Sequence, residues 1–243
     1  MTRFFRSVRI CIAFFIFGIG SFILSFFIFP YIQLFIKKEL QKEYFASTIR
    51  RTWSFFTNFI IDTKIIALNA DKEAFQKIQG KIVVANHPTF IDIILLISLL
   101  PKSICLAKKD VLKNPLLKNI VSAIYIVNDI DIEKLKENSN KFLKQGYNIV
   151  IFPTGTRNES NKEVKIHKGF VTMAINANVD IVPIKIICDS KFLTKGQPFY
   201  EGTDKVVNYN LEILDKISIN DFNESDEIKL RNKICQKVKE VLY

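Results

Sequence analysis

The chain has 243 residues, a length that suits one α/β domain with an appended segment better than two full domains. Hydrophobic residues make up 49%, near the ordinary globular share, but the 22 phenylalanines crowd toward the start, and 35 Lys and Arg against 24 acidic residues leave a net charge of +11. That surplus suits a polyanion, either nucleic acid or the anionic face of a bilayer, and by itself names neither. Cys11, Cys105, Cys188 and Cys235 form no CxxC pair, and there are only two histidines. That pattern argues against a zinc site and reads as free thiols in a reducing compartment.

From Ile10 through Ile36 there are 27 positions without a charge, and about 20 suffice to cross the hydrocarbon core. The run is too long for a signal peptide, and no small-residue cleavage site follows it. Arg3, Arg6 and Arg9 flank one end and Lys37, Lys38 and Lys42 the other, so positive charge on both sides sets orientation only weakly. Pro30 removes a backbone donor inside the run, and a kink or a helix end is expected there. The segment therefore reads as a membrane anchor that spans or re-enters. After it, KKELQKEYFASTIRRTWSFFTNFI mixes basic residues with Tyr44, Phe45, Trp53, Phe55, Phe56 and Phe59. Two readings fit: an amphipathic helix along the headgroup layer, or an ordinary helix packing its aromatics on a core.

The remainder alternates short apolar runs with helical stretches. Strands are expected at 81–86, 103–107, 124–127, 148–152 and 180–187, with an alternating edge strand at 206–214. Helices are expected at 90–100, around 114–123, at 132–143, after Gly169 and at 224–241. Strands separated by helices predict a mostly parallel sheet flanked by helices, an α/β fold carrying the N-terminal hydrophobic helix. The expected division is an anchor with its basic amphipathic segment at 1–62 and a catalytic domain at 63–243. In such sheets chemistry gathers at the carboxyl ends of the strands.

Two strand ends carry chemistry. After KIVVAN comes HPTFID, in which Pro88 biases His87 away from helical geometry. Thr89 is placed to cap the next helix. Across this turn His87 and Asp92 can share a hydrogen bond, the carboxylate fixing the imidazole tautomer and leaving the other nitrogen as general base. Asp92 also stands where a capping box puts its acid, and the spacing alone accommodates either role. After NIVIF comes PTGTR: Gly155 permits a tight turn, Thr156 supplies a hydroxyl, and Arg157 offers a bidentate contact to phosphate. An ordinary turn with a solvated arginine fits as well.

Together these blocks resemble the glycerolipid acyltransferase family, typified by 1-acyl-sn-glycerol-3-phosphate acyltransferase. His87 and Asp92 match its H-x4-D motif. Phe152, Pro153, Gly155, Thr156 and Arg157 match its FPEGTR block, and AKKDVLKNPLL (107–117) and IVPIKI (181–186) match two looser blocks in the same order. The resemblance implies transfer of a fatty acyl group from acyl-CoA or acyl carrier protein, as co-substrate, to the free hydroxyl of lysophosphatidic acid in phospholipid biosynthesis. His87 and Asp92 would be catalytic; Thr154, Gly155, Thr156 and Arg157, helped by Lys108 or Lys109, would hold the substrate. No metal, no other cofactor and no covalent acyl-enzyme are needed. Thr154 stands where the family usually has glutamate, and Asn128 where many members have arginine, which bears on the identity of the acceptor. Acylation of another lyso-lipid is therefore the alternative, and a non-catalytic lipid-binding protein the alternative of another class. Membrane lipid is an expected partner and nucleic acid is not. The expected location is the inner, cytoplasmic membrane, with the catalytic domain on its cytoplasmic side.

Overall fold

A computed structural model describes residues 3–107, 119, 120, 123, 125–127, 132–157 and 164–243. The chain begins with a helical rod: α1 (Arg3–Ile23), a π turn over Leu24–Ile28, and α2 (Phe29–Phe35). The rod does not end at Pro30. The proline falls in the first turn of α2, just after the wide π turn, where a missing N–H is least disruptive. The Ser25 carbonyl, inside the π turn, accepts a bond from Asn119 Nδ2 at 2.9 Å, in keeping with bulges re-satisfied by a side chain. The helix stops only at Ile36, whose backbone is extended.

One face of the rod is buried through Ile10, Ala13, Leu24, Phe29 and Ile32, whereas Phe15, Phe27, Leu34 and Phe35 point outward, each more than 60% exposed. By length and composition Arg3–Phe35 can cross a membrane. Next, α3 (Lys38–Asp62) buries Phe45, Ile49, Trp53, Phe56 and Ile60, a stripe at helical spacing that packs chiefly on the later helix Asp92–Leu99. Of the two readings of this segment, the stripe follows core packing, while Tyr44 and Phe55 remain exposed.

The sheet follows: β1 (Ile66–Ala70), α4 (Lys72–Gln76), β2 (Ile82–Ala85), α5 (Asp92–Leu99), β3 (Ser103–Ala107), β4 (Tyr125–Val127), α6 (Ile132–Lys144), β5 (Asn148–Ile151), α7 (Gly169–Ala177), β6 (Ile181–Cys188), β7 (Val207–Ile213) and α8 (Glu227–Leu242). Among the described residues seven strands lie in the order β1-β7-β6-β2-β5-β3-β4. The five from β6 to β4 run parallel, and β7 runs against β6. The expected α/β architecture is present, with one correction. β7 is not an edge strand: β1, unanticipated in the sequence, pairs with it in register from Ile66↔Val207 to Ala70↔Leu211. Alternation in β7, with Val207, Tyr209 and Leu211 buried, records one solvated face, which is a different property from lacking a neighbour.

β2 lies between β6 and β5 with all four residues buried, so its carboxyl end emerges at the centre of the sheet. The carboxyl end of β5 is next to it. One continuous apolar core takes in the rod, α3 and the sheet.

Candidate active site

The loop after β2 is held before it turns into α5. Asn86 Nδ2 donates to the Ile186 carbonyl at 2.8 Å, and its Oδ1 accepts from the Ile186 N–H at 2.7 Å. That pairing extends β2 against β6 by one side chain. His87 then leaves the sheet edge, and Asp92 opens α5 with its side chain fully buried. The two meet: His87 Nδ1 lies 2.8 Å from Asp92 Oδ2. The same Oδ2 accepts the Thr89 N–H at 2.7 Å, and Oδ1 accepts the Thr89 hydroxyl at 2.5 Å. Asp92 therefore makes both the capping-type bond and the histidine bond. A carboxylate has lone pairs enough for all three donors, and the two roles do not compete.

Burial pushes the Asp92 carboxyl above its ordinary range, and the bonds from His87 and Thr89 pull it back. A fully buried carboxylate stabilises positive charge that develops beside it. The His87 side chain is 18% exposed, and its ring stacks on Phe152, centroids 4.0 Å apart and planes 15° from parallel. Nδ1 faces Asp92, so Nε2 is the nitrogen left for a reacting group.

The loop after β5 lies alongside. Gly155 adopts φ +62°, in the left-handed region that favours glycine, and its N–H donates to the Phe152 carbonyl at 2.9 Å. Thr154 closes the turn locally, its hydroxyl donating to the Thr156 carbonyl at 2.7 Å. Thr156 is exposed, and Thr154 and Gly155 are half-buried. Arg157 points back across the site: Nη1 donates to the carbonyls of Leu193 and Thr194, both at 3.0 Å, and the guanidinium lies 5.9 Å over the Phe90 ring. Leu193, at φ +52°, sits where non-glycine residues are uncommon. Its carbonyl also accepts the Phe90 N–H at 3.0 Å, so a single strained residue ties the β2 loop to the β5 loop.

Beside these groups lies an apolar cavity of about 460 Å³, walled by Phe14 and Phe17 of α1, Phe90, Arg157, Leu193 and Phe199. The expected site residues His87, Asp92, Thr154, Gly155, Thr156 and Arg157 thus gather at one sheet edge. Lys108, Lys109 and Asn128 lie outside the described residues. The sequence reading missed Leu193, Phe199 and the α1 wall, all of which come from distant segments without a motif.

The family model described as Acyltransferase matches residues 69–187, a stretch containing both loops. Residues 69–187 are thus similar to the acyltransferase family. Among similar proteins, the 1-acyl-sn-glycerol-3-phosphate acyltransferase of Cocos nucifera is 31% identical over 114 residues, 42% of this chain and 36% of that protein. The chain spans about a third of that relative's length. The enzyme of the same name from Borreliella burgdorferi is 24% identical over 176 residues, 70% of each chain. The crystal structure of the 1-acyl-sn-glycerophosphate (LPA) acyltransferase PlsC from Thermotoga maritima, 19% identical, superposes with a TM-score of 0.71 over 97% of this chain and 95% of that one. The fold shared with that structure therefore extends beyond the matched stretch and takes in the N-terminal helices.

Proposed function

We propose that the chain transfers a fatty acyl group from an acyl thioester, acyl-CoA or acyl carrier protein, to the free hydroxyl of lysophosphatidic acid, yielding phosphatidic acid. The observation that carries this reading is the buried His87–Asp92 contact beside Arg157 and an apolar cavity. In this mechanism His87 Nε2 removes the acceptor hydroxyl's proton as the oxygen attacks the thioester carbonyl. Asp92 stabilises the imidazolium that forms. The imidazolium then returns the proton to the departing thiol as the carbon–sulfur bond breaks. Arg157, fixed through one nitrogen by Leu193 and Thr194, keeps the rest of its fork for the acceptor's phosphate. The activity for which those relatives are named supports the acceptor.

In this reading residues 1–62 face the bilayer and 63–243 form the catalytic domain. Three contacts favour a rod lying in one leaflet over one that crosses. Arg3 binds the Gly202 carbonyl and Glu201, the Gly202 N–H donates to Ser7 Oγ, and Gln41 Nε2 ties the α2–α3 turn to Gln33 and Ile36 carbonyls. The first end is thereby docked on the catalytic domain and the second is turned back onto α3, while the outward phenylalanines suit acyl chains. We place that membrane at the inner, cytoplasmic membrane.

A second acceptor is favoured by one observation. Thr154, at the glutamate position of the FPEGTR-type block that the sequence resembles, spends its hydroxyl on its own turn and offers no charge, which fits a lyso-lipid with a different headgroup. The test is product analysis by mass spectrometry with purified protein, a panel of lyso-lipids, and both donor types. Phosphatidic acid formed by wild type and not by His87→Ala supports the reading. Equal product from both overturns it.

A further inference from the structure

Asp92 is buried beside a histidine, and a carboxylate in that position needs donors to stay charged. One of those donors is itself held by a residue from the far side of the chain. The Tyr209 hydroxyl donates to Thr89 Oγ1 at 2.9 Å, and Thr89 Oγ1 donates to Asp92 Oδ1 at 2.5 Å. The Asp92–His87 bond at 2.8 Å completes the line. Tyr209 is 1% exposed, and Thr89 and Asp92 are fully buried. A further titratable side chain, Cys188 of β6, meets the Tyr209 hydroxyl.

The topology explains how Tyr209 arrives. β7 runs opposite to β6, so its first residues lie at the edge where the parallel strands end, and Tyr209 is paired with Cys188, the last residue of β6. On the other side β1 holds it through Leu68↔Tyr209. A threonine hydroxyl has one proton and can rotate to offer it elsewhere, including to a backbone carbonyl. With the phenol filling its acceptor side, the Thr89 proton is directed at Asp92.

We propose that Tyr209 and Thr89 are positioning residues for the His87–Asp92 pair, Tyr209 acting only through the Thr89 hydroxyl to keep Asp92 ionised and aimed at Nδ1. This rests on the reading of His87 as the general base. Losing a donor to the carboxylate makes protonation of the pair easier, whichever partner takes the proton. The acid limb of the rate profile therefore moves to higher pH.

The experiment compares full-length wild type with Tyr209→Phe, Thr89→Val, Thr89→Ser, the Tyr209→Phe/Thr89→Val double variant and His87→Ala. It measures kcat, KM for donor and acceptor, the pH profile and Tm. Tyr209→Phe should lower kcat about fivefold, the scale of one neutral hydrogen bond, with both KM values unchanged and the acid limb shifted upward. Thr89→Val should lower kcat further, and Thr89→Ser should recover most of that loss. The double variant should be no slower than Thr89→Val alone, because the hydrogen-bonded path from Tyr209 to Asp92 runs through Thr89 Oγ1. If His87→Ala is inactive but Tyr209→Phe keeps wild-type kcat and an unmoved profile, the positioning role is overturned while the base stands. Multiplying effects in the double variant overturn it too. Should His87→Ala remain active, the base reading fails and this role with it. If Tyr209→Phe does not fold, the contrast of Thr89→Val with Thr89→Ser decides, and equal losses in both overturn the proposal.

Discussion

The loops leaving β2 and β5 sit side by side and are built in opposite ways. The β2 loop ends on a fully buried acid, Asp92, met from three directions by an imidazole, an amide and a hydroxyl. The β5 loop is half-exposed and closed by its own backbone, with one long cation anchored at one nitrogen. The difference matches two demands. Proton transfer needs atoms held within a few tenths of an ångström in a dry setting. Recognition of a solvated anion needs a charge that can be reached and that adapts to the arriving oxygens.

The sharpest way to break this contrast is at the buried acid and its histidine. His87→Ala should lower turnover by about 10²–10⁴-fold, the range of lost general-base catalysis, with KM values and membrane attachment retained in a steady-state and flotation assay. A variant near wild-type turnover would reduce the two loops to ordinary turns. Asp92→Asn comes next. The amide has one acceptor oxygen for groups that a carboxylate serves with two, and it carries no charge for the imidazolium. We expect turnover to fall by about 10²-fold or more and, from the disturbed buried bonds, a stability loss of about 1–3 kcal/mol. Chemical denaturation together with kinetics separates the two. An Asp92→Asn protein that loses stability but keeps its rate would leave only the cap.

In the open loop, Arg157→Ala should raise the acceptor KM about tenfold or more, the scale of a charge-assisted bond, with a smaller change in kcat and none in the donor KM. Phosphate lies away from the reacting hydroxyl, so its contact acts on ground and transition states alike. A donor-only effect would move Arg157 to the other substrate. The smallest effect on chemistry is expected at the rod. Replacing Phe15, Phe22 and Phe26 with serine changes outward residues and should weaken binding to vesicles while leaving turnover on micellar substrate within about twofold, since no bond to the reacting atoms changes. Loss of folding in that variant would show that the outward face is packed in the native protein. Deleting the rod is a poorer experiment, because its inner face shares the core with α3 and the sheet.

The sequence by itself determined the parts whose physics is local. Runs such as IVVA and NIVI are apolar at every position, which marks central parallel strands, and the two motifs sit directly after them. Proximity of His87 to Asp92 follows from five residues of separation across a single turn, and the reach of the N-terminal run follows from its length. What only the tertiary structure decided are pairings between distant segments. IALNA (66–70) carries no strong strand pattern and becomes β1 because β7 offers it a partner. That pairing, in turn, removes β7 from the edge. The stripe on α3 fits a headgroup layer and a core equally well as a pattern, and contact with α5 settles which of its aromatics are inside. Tyr209 reaches Thr89 across 120 positions of sequence, and Leu193 reaches Arg157 across 36. No periodicity encodes such contacts, because they arise from the reversed direction of one strand and from the turn of one backbone at positive φ.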